Sequence, residues 1–288
     1  FAGREGKWVT SRKVEERLVS ELQTDVSLRV ENTESPDKWV VSGRGELHLS
    51  ILIETMRREG YELQVSRPEV IIKEIDGVAC EPFERVQIDT PEEYQGSIIQ
   101  ALSERKGDML DMQITGNGQA RLIFLVPARG LIGFTTEFMS MTRGYGIMNH
   151  TFDQYLPAVK GEIGGRHRGS LISMDSGQVT SYAMGYVQER GQLFVDAGTE
   201  VYGGMIVGEH SRDNDLTVNI TKMKQQTNVR SSNKDSTSVL NTPKILSLEE
   251  SLEFLGDDDY LEVTPESIRL RKQILDKAMR EKSTKKKK

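Results

Sequence analysis

The chain has little of what disulfide-rich, secreted or membrane proteins depend on. Its one cysteine, Cys80, has no partner for an internal disulfide. No apolar run approaches the roughly 20 residues that cross a bilayer, and no charged, apolar and small-residue leader opens the sequence. We therefore expect a protein of the reducing cytoplasm with no membrane contact. Because Phe1 is not a methionine and a helix pattern follows closely, we also expect the sequence to be part of a longer protein.

Motifs for nucleotide, metal and acyl chemistry are also missing. There is no GxxxxGK[ST] loop to hold a triphosphate and no GxSxG turn to present a nucleophile. Asn233 and Lys234 begin a guanine-reading NKxD pattern, but Ser236 stands where its aspartate must be. The histidines and the cysteine lack metal-ligand spacing. We expect no catalytic site, no metal and no cofactor in this chain.

The composition indicates a multidomain globular protein. A chain of 288 residues suits two or three domains, and 36% hydrophobic with 28% charged residues is an ordinary soluble balance. The net charge of −6 hides a segregation near the C-terminus. Residues 244–266 carry one basic and eight acidic side chains, and residues 268–288 carry ten basic and two acidic ones. Regional charge is therefore the better guide to partners, although the final lysine run is typical of a solvated, disordered tail.

The first part of the sequence predicts the order helix, strand, strand, helix, strand. Val14, Leu18 and Leu22 recur every four residues and share one face of a helix. Apolar alternation predicts strands over residues 26–30, 39–41 and 63–65.

Residues 43–60, GRGELHLSILIETMRREG, fit both a strand and a helix by apolar period. The length of the segment favours a helix. Arg57 and Arg58 suit the negative end of a helix dipole, and Gly60 is a favourable C-terminal stop. We therefore predict that this segment is the second helix.

The same order of elements recurs further along the chain. The patterns predict strands over residues 82–89, 109–115 and 121–126 and helices over residues 94–106 and 130–143. A shift of 85 positions places Val41, Arg44, Gly45, Met56 and Arg58 on identical residues. We predict two ferredoxin-like βαββαβ sandwiches, the first lacking its opening strand.

The last part of the chain has a different residue pattern. Beyond residue 157, frequent glycines separate short apolar runs, which is typical of a compact, mostly antiparallel β domain such as a barrel. Ser247 and Glu250 form a capping box for one helix, and Thr264 followed by Pro265 predicts the start of a last helix. The predicted fold class is α+β: two ferredoxin-like sandwiches, over residues 1–68 and 69–157, then a β-rich domain with a polar loop and terminal helices over residues 158–288.

A polar loop over residues 221–238 is the strongest candidate for a binding surface. It is rich in cations, amides and hydroxyls and has almost no apolar anchor, so we expect it to order against a partner. Phosphate, ribose and base edges require such groups, and the absence of aromatic residues favours backbone contact over base stacking. The predicted nucleic-acid contacts are Lys222, Lys224, Gln225, Asn228, Arg230 and Lys234. The alternative for this loop is a mobile, solvated segment.

Several arginines outside the loop are secondary candidates for RNA contact. Each is equally consistent with a solvent-facing side chain or with a charge at a helix end. They are Arg44, Arg129, Arg143, Arg166 and Arg168.

Three segments carry a resemblance to translation factors. Residues 42–74, SGRGELHLSILIETMRREGYELQVSRPEVIIKE, resemble domain III of elongation factor G in the G-x-G-E-L-H-L motif, the helix ending in R-R-E and the downstream P-x-V. Residues 81–109 and 128–146 are similar to domain V of the same factors. Elongation factor G has another domain between these two, whereas here they are adjacent, as in the LepA and BipA/TypA families. Residues 211–232, SRDNDLTVNITKMKQQTNVRSS, resemble the C-terminal domain of BipA/TypA and not that of LepA.

The resemblance to BipA/TypA implies the C-terminal, ribosome-binding part of a translational GTPase. It implies binding near the A site, with the polar loop reaching the peptidyl-transferase region and the acceptor end of A-site tRNA. The implied partners are rRNA, A-site tRNA and ribosomal proteins, and we expect a monomer. GTP and Mg²⁺ would bind only in a domain upstream of Phe1. The family is associated with ribosome assembly and with translation under stress, especially cold.

Two other functions remain open on the sequence alone. Paired ferredoxin-like domains also serve metabolite sensing, so a regulatory metabolite-binding protein is the alternative. A protein-binding adaptor is the third candidate. Co-sedimentation with ribosomes separates the three.

The missing phosphate-binding motifs predict that the 288-residue chain neither binds nor hydrolyses GTP. Isothermal titration calorimetry with GTP and a magnesium salt should show no saturable heat. A micromolar isotherm would contradict this prediction.

Overall fold

A computed structural model of the chain describes residues 1–161, 163, 168–223 and 239–287, with side chains as far as residue 283 in the last helix. The chain divides into two compact units, Phe1–Arg67 with Arg166–Lys288, and Pro68–Gly165. Helices combined with several small, mainly antiparallel sheets confirm the predicted α+β class. The boundaries of the three domains stay a prediction. Within the described ranges, no helix is long and apolar enough to cross a membrane.

The first region follows the predicted order of elements. They are α1 Ser11–Glu21, β1 Arg29–Asn32, β2 Trp39–Ser42, α2 Glu46–Arg58 and β3 Leu63–Val65. The apolar faces of the two helices meet, because Leu18 of α1 and Leu52 and Met56 of α2 are buried in one cluster. The helical interpretation of residues 43–60 is confirmed, and Gly60 ends α2 in the left-handed conformation (φ 96°).

The strand predicted over residues 26–30 begins later than expected, at Arg29. Val26 is 98% exposed. It lies in a turn in which Asp25 Oδ1 accepts hydrogen bonds from Ser27 N and Ser27 Oγ at 3.0 and 2.6 Å. The apparent alternation of Val26 with Leu28 therefore included a turn residue.

The second unit is a complete βαββαβ sandwich. Its elements are β4 Lys73–Ile75, β5 Val78–Pro91, α3 Gln95–Glu104, β6 Asp108–Thr115, β7 Gln119–Pro127, α4 Ala128–Leu131, α5 Phe134–Met141 and β8 Ile147–Pro157. The antiparallel order is β8-β5-β7-β6, and β4 pairs with the start of β5. Ile88 and Phe124 point from the sheet into a buried core with Leu102 of α3 and Phe138 of α5. The helices therefore cover one face of the sheet.

The single helix predicted over residues 130–143 is wrong, because it is two helices. Gly133 adopts a left-handed conformation (φ 74°) between α4 and α5, which breaks the helical hydrogen-bonding pattern. Arg105 holds the break: its Nη1 donates to Gly130 O at 2.7 Å, and its Nη2 donates to Glu137 Oε2 at 2.7 Å. The apolar run around Gly133 concealed this break in the sequence.

The C-terminal region has the predicted short, mostly antiparallel strands, together with a small helix over residues 181–187 that the sequence did not predict. Its elements are β9 Ser170–Ser173, β10 Gly177–Gln178, α6 Ser181–Val187, β11 Gly191–Leu193, β12 Glu200–Val201, β13 Ile206–His210, β14 Leu216–Val218, α7 Leu248–Phe254, β15 Asp259–Val263, β16 Ile268–Lys272 and α8 Lys277–Lys287. The main sheet has the order β11-β13-β9-β14 and is antiparallel except that β14 runs parallel to β9. Leu171, Val207 and Ile220 belong to its buried core.

The strand β3 joins this C-terminal region instead of the first sandwich. It forms a sheet in the order β16-β15-β3, with Leu63 opposite Val263 and Val65 opposite Leu261. Among the residues that the structure describes, β1 and β2 pair only with each other. Of the first predicted sandwich, β1 and β2 therefore form a separate two-stranded sheet, whereas β3 pairs with a strand about 200 positions away, which its own sequence did not show.

The last helix begins later than predicted. The capping box of Ser247 and Glu250 at α7 is confirmed. Thr264, however, forms a tight turn between β15 and β16, in which its N donates to Ser267 O at 2.9 Å and its Oγ1 accepts from Ser267 N at 2.8 Å. The last helix is α8, which starts at Lys277 and continues to Lys287, so the expectation of a disordered lysine tail is wrong for these residues.

The N-terminal segment is attached to both parts of its unit by two glutamates. The Glu62 carboxylate accepts backbone hydrogen bonds from Gly3, Glu5 and Gly6 at 2.6, 2.9 and 2.5 Å. Burial alone would raise the pKa of Glu62, but these donors hold it below its usual value. Glu5 in turn bonds Thr264 and pairs with Arg269 of β16.

Lys272 forms a buried charge network at the end of β16. Its side chain is 1% exposed, and its Nζ lies 2.6 Å from Asp215 Oδ2, 3.0 Å from Asp258 Oδ1 and 2.8 Å from Asp259 Oδ1. Burial alone would lower the pKa of Lys272, but Asp259 and Asp215 outweigh it and raise the pKa above its usual value. The ammonium therefore stays charged and joins the loop before β14 to the β15–β16 hairpin.

Replacing Lys272 with methionine should destabilise the first unit by about 3 to 5 kcal/mol, because the fully buried Asp259 carboxylate would lose its cation. Urea unfolding can be followed by the fluorescence of Trp8 and Trp39, which both lie in this unit. The control is Lys277→Met, whose exposed pair with Glu281 spans 3.9 Å and should contribute less than about 1 kcal/mol. Equal effects of the two substitutions would contradict the role assigned to Lys272.

Candidate nucleic-acid interface

The structure describes part of the predicted binding surface. Lys222 and four secondary candidates, Arg44, Arg129, Arg143 and Arg168, lie within the described residues. Outside them lie Lys224, Gln225, Asn228, Arg230, Lys234 and Arg166. The geometry of the loop can therefore be stated for the segments that enter and leave it.

The entering segment is fixed to the N-terminus of α6. Thr180 caps this helix by accepting a hydrogen bond from Ala183 N at 3.1 Å. The same Thr180 hydroxyl donates to Lys222 O at 2.6 Å, and Thr180 N donates to Ile220 O at 3.2 Å. Because Ile220 is fully buried, the backbone is held at this point while the Lys222 side chain remains exposed.

The leaving segment is fixed to the 3-10 turn Gln188–Arg190 that follows α6. The Gln188 side chain donates from Nε2 to Val239 O at 3.0 Å and accepts at Oε1 from Asn241 N at 2.9 Å. Leu240 packs against the buried core, and Lys244 N donates to Leu193 O at 2.8 Å. Both ends of the loop are thus attached to one short helical segment.

Arg44 belongs to a hydrogen-bonded group at the start of α2. Its Nε donates to Ser27 Oγ at 3.1 Å, and its backbone N donates to His48 Nδ1 at 3.1 Å. His48 Nε2 lies 2.5 Å from Asp25 Oδ2. Hydrogen bonds from Ser27 and then His48 lower the pKa of Asp25 to about 2. Asp25, not Ser27, contacts the imidazole, so these residues orient the Arg44 loop and do not form a nucleophilic triad.

The Arg129 side chain forms internal hydrogen bonds and an ion pair within the second unit. Its Nε and Nη2 donate to the fully buried Glu81 carboxylate at 2.6 and 3.2 Å, its Nη1 donates to Gly161 O at 2.8 Å, and its Nη2 also donates to Val159 O. A phosphate at Arg129 would have to compete with a buried carboxylate. This arrangement supports a structural role for the side chain.

Arg143 is exposed and lies just after α5 in the left-handed conformation (φ 51°). Gly144 N donates to Met139 O at 2.9 Å and Arg143 N to Ser140 O at 3.2 Å, which is a Schellman motif. Lys106 has the same position after α3 (φ 61°). Both cations therefore occupy a conformation that glycine adopts with less strain.

Arg168 and Lys222 lie at opposite ends of the main C-terminal sheet. Arg168 precedes β9, whereas Lys222 follows β14, and these two strands are parallel neighbours. Arg168 is 60% exposed, and its Nη1 lies 3.7 Å from Glu209 Oε2. The structure thus does not bring these two candidates together.

The anchors of the loop, Thr180 and Gln188, were missed in the sequence. The helix-capping pattern of Thr180 could have identified it, since threonine is favoured at a helix N-cap. Gln188 offered no local signal, because its role depends on residues roughly 50 positions away. Among the described residues, no three or more histidine, cysteine, aspartate or glutamate side chains are grouped as metal ligands.

Family models match this architecture in the same order as the structural regions. The elongation factor G domain III model matches residues 8–67, the elongation factor G C-terminus model matches residues 78–163, and the TypA/BipA C-terminal domain model matches residues 168–277. The chain is therefore built from two elongation-factor-G-type domains and one family-specific domain.

Similar proteins carry the name large ribosomal subunit assembly factor BipA. The one from Bacillus subtilis (strain 168) is 69% identical over 100% of this chain and 47% of its own length. Those from Haemophilus influenzae and Synechocystis are 55% and 51% identical over 96% and 94% of this chain and 45% of their own lengths. The chain belongs to the BipA/TypA family and spans about half the length of the curated relatives it matches.

The left-handed conformations of Arg143 and Lys106 predict a test that separates the cost of the backbone conformation from the contribution of the side chain. Arg143→Gly should raise the stability of the second unit by about 1 kcal/mol, because it removes a strained backbone conformation. Lys106→Gly, the matched control, should do the same. Thermal unfolding followed by circular dichroism measures both effects, and a loss of stability in either variant would show that its side chain contributes more than its backbone costs.

Proposed function

We propose that this chain is the ribosome-docking region of a translational GTPase and that it binds rRNA and A-site tRNA near the peptidyl-transferase region. The observation that carries this proposal is the family membership, since the similar proteins are named large ribosomal subunit assembly factors. A role in ribosome assembly, and in translation under stress or cold, follows from the same proposal.

The polar loop is the principal contact in this proposal. Its two ends are fixed by Thr180 and Gln188, so its cations would be presented from a defined base. Lys222 is exposed where the loop begins. Cations alternating with amides and hydroxyls suit phosphate, ribose and base edges. These side chains would bind an RNA backbone, and such binding requires no catalytic group.

The GTPase activity belongs, in this proposal, to a domain outside these 288 residues. The relatives are about twice as long as this chain, which leaves room for such a domain. GTP and Mg²⁺ would bind there, and this region would supply docking alone. The whole protein would act as a monomer in the cytoplasm, with ribosomal proteins as further contacts.

Lys224→Ala combined with Arg230→Ala should weaken binding to ribosomes. Each phosphate contact contributes about 0.7 to 0.9 to the slope of log affinity against log salt, so loss of two contacts should reduce that slope by about 1.5. Co-sedimentation with ribosomes over a salt series measures the effect.

The control is a chain truncated before Lys285, which removes cations from the C-terminal tail. This truncation should weaken binding to ribosomes and to an unrelated RNA equally, whereas the double variant should weaken ribosome binding preferentially. Unchanged affinity and slope in the double variant would assign the contact to the tail. Absence of co-sedimentation of the unmodified chain would overturn the docking proposal.

A further inference from the structure

We propose that the exposed face of α6 stacks against an unpaired base of single-stranded nucleic acid. The site consists of Tyr182, Tyr186 and Arg190, and we call it the tyrosine face. The proposal rests on the proposed function and adds a second kind of contact to it. Aromatic residues are absent from the polar loop but present on the helix that holds both of its ends.

The spacing of the two tyrosines places them on one side of α6. Tyr182 and Tyr186 are four residues apart in α6 and therefore share one face of it, and Arg190 lies in the 3-10 turn that continues the helix. Ala183, Met184 and Val187, which lie between them, are buried. The opposite face of the segment is therefore fixed by the core, and the tyrosine face is presented outward.

The two rings form a preorganised aromatic pair. Their centroids are 5.1 Å apart and their planes are inclined at 71°, an edge-to-face contact. Tyr186 is 60% exposed even though its ring is a large apolar surface. Tyr182 contacts the Tyr186 ring, and α6 is held by the core. Binding of a base would therefore cost little side-chain conformational entropy.

The position of the tyrosine face connects it to the loop. Thr180, two residues before Tyr182, holds Lys222 O, and Gln188, two residues after Tyr186, holds Val239 O. A strand whose phosphates are bound at the base of the loop therefore passes close to the rings. The exposed side chain of Lys222 supplies a cation on the entering side.

The chemistry favours nucleic acid over a protein segment as the occupant. Bases stack on aromatic rings and on arginine guanidinium planes, and Arg190 is exposed in the 3-10 turn that continues α6. Stacking of this kind tolerates any base, because every base has a π face. The expected ligand is thus an unpaired nucleotide of any sequence.

A short polyadenosine RNA and an abasic ribose-phosphate oligomer of the same length test the site. Fluorescence anisotropy with the 288-residue chain should show tighter binding of the RNA by about tenfold, the range expected for one stacked base. Tyr186→Ala should abolish this preference while leaving the salt slope unchanged, since it removes a ring and no charge. Tyr186→Phe should keep the preference, because stacking requires the ring and not the hydroxyl.

Two controls separate the site from a general effect. Tyr145→Ala removes a tyrosine that is 70% exposed in the other unit and should change nothing. Arg190→Gln should lower the salt slope and reduce the preference only partly. The proposal is overturned if the unmodified chain binds both oligomers equally or not at all, or if Tyr186→Ala retains the preference.

The outcomes also distinguish this proposal from docking. If the chain co-sediments with ribosomes but binds the RNA no more tightly than the abasic oligomer, the docking proposal stands and the proposal for the tyrosine face is wrong. If the chain binds the RNA more tightly through Tyr186 but does not co-sediment with ribosomes, the single-strand binding site stands and the docking proposal is wrong.

Discussion

The pairing of β3 with β15 is the interaction on which the first unit depends. It places Leu63 and Val65 in the same apolar cluster as Leu261 and Val263, so that the N-terminal and C-terminal regions share one core. Glu62 and Glu5 strengthen this arrangement, because they fasten the N-terminal segment to β3 and to the β15–β16 hairpin respectively. The main C-terminal sheet and α6 are built on the same unit, which gives the loop a fixed base.

The sequence was informative wherever a local signal determined the structure. Arg57, Arg58 and Gly60 correctly distinguished a helix from a strand in an apolar segment that fitted both periods. Ser247 and Glu250 likewise identified the start of α7. In these cases, the deciding interactions lie within one or two helical turns, so they can be recognised without knowledge of the fold.

The remaining differences arise from interactions that join distant residues or depend on backbone conformation. The pairing of β3 with β15 cannot be read from either strand alone. Thr264 followed by Pro265 satisfied the pattern of a helix start, but the alternating Ile268 and Leu270 that follow belong to a strand. For the candidate site, Arg129 looked like an exposed cation until Glu81, 48 positions away, proved to be its partner.

The pairing of β3 with β15 also determines the order in which the parts of the chain can fold. Leu63 and Val263 pair across roughly 200 positions of sequence, so β3 must wait for β15 to be synthesised. The βαββαβ sandwich of Pro68–Gly165 has all of its strands within one continuous segment and can fold during that interval. Until the C-terminal hairpin emerges, the apolar edge of β3 is exposed to other chains. A nascent chain stalled before residue 259 would therefore carry a finished second unit beside an unfinished first one, with its aggregation-prone strand edge uncovered.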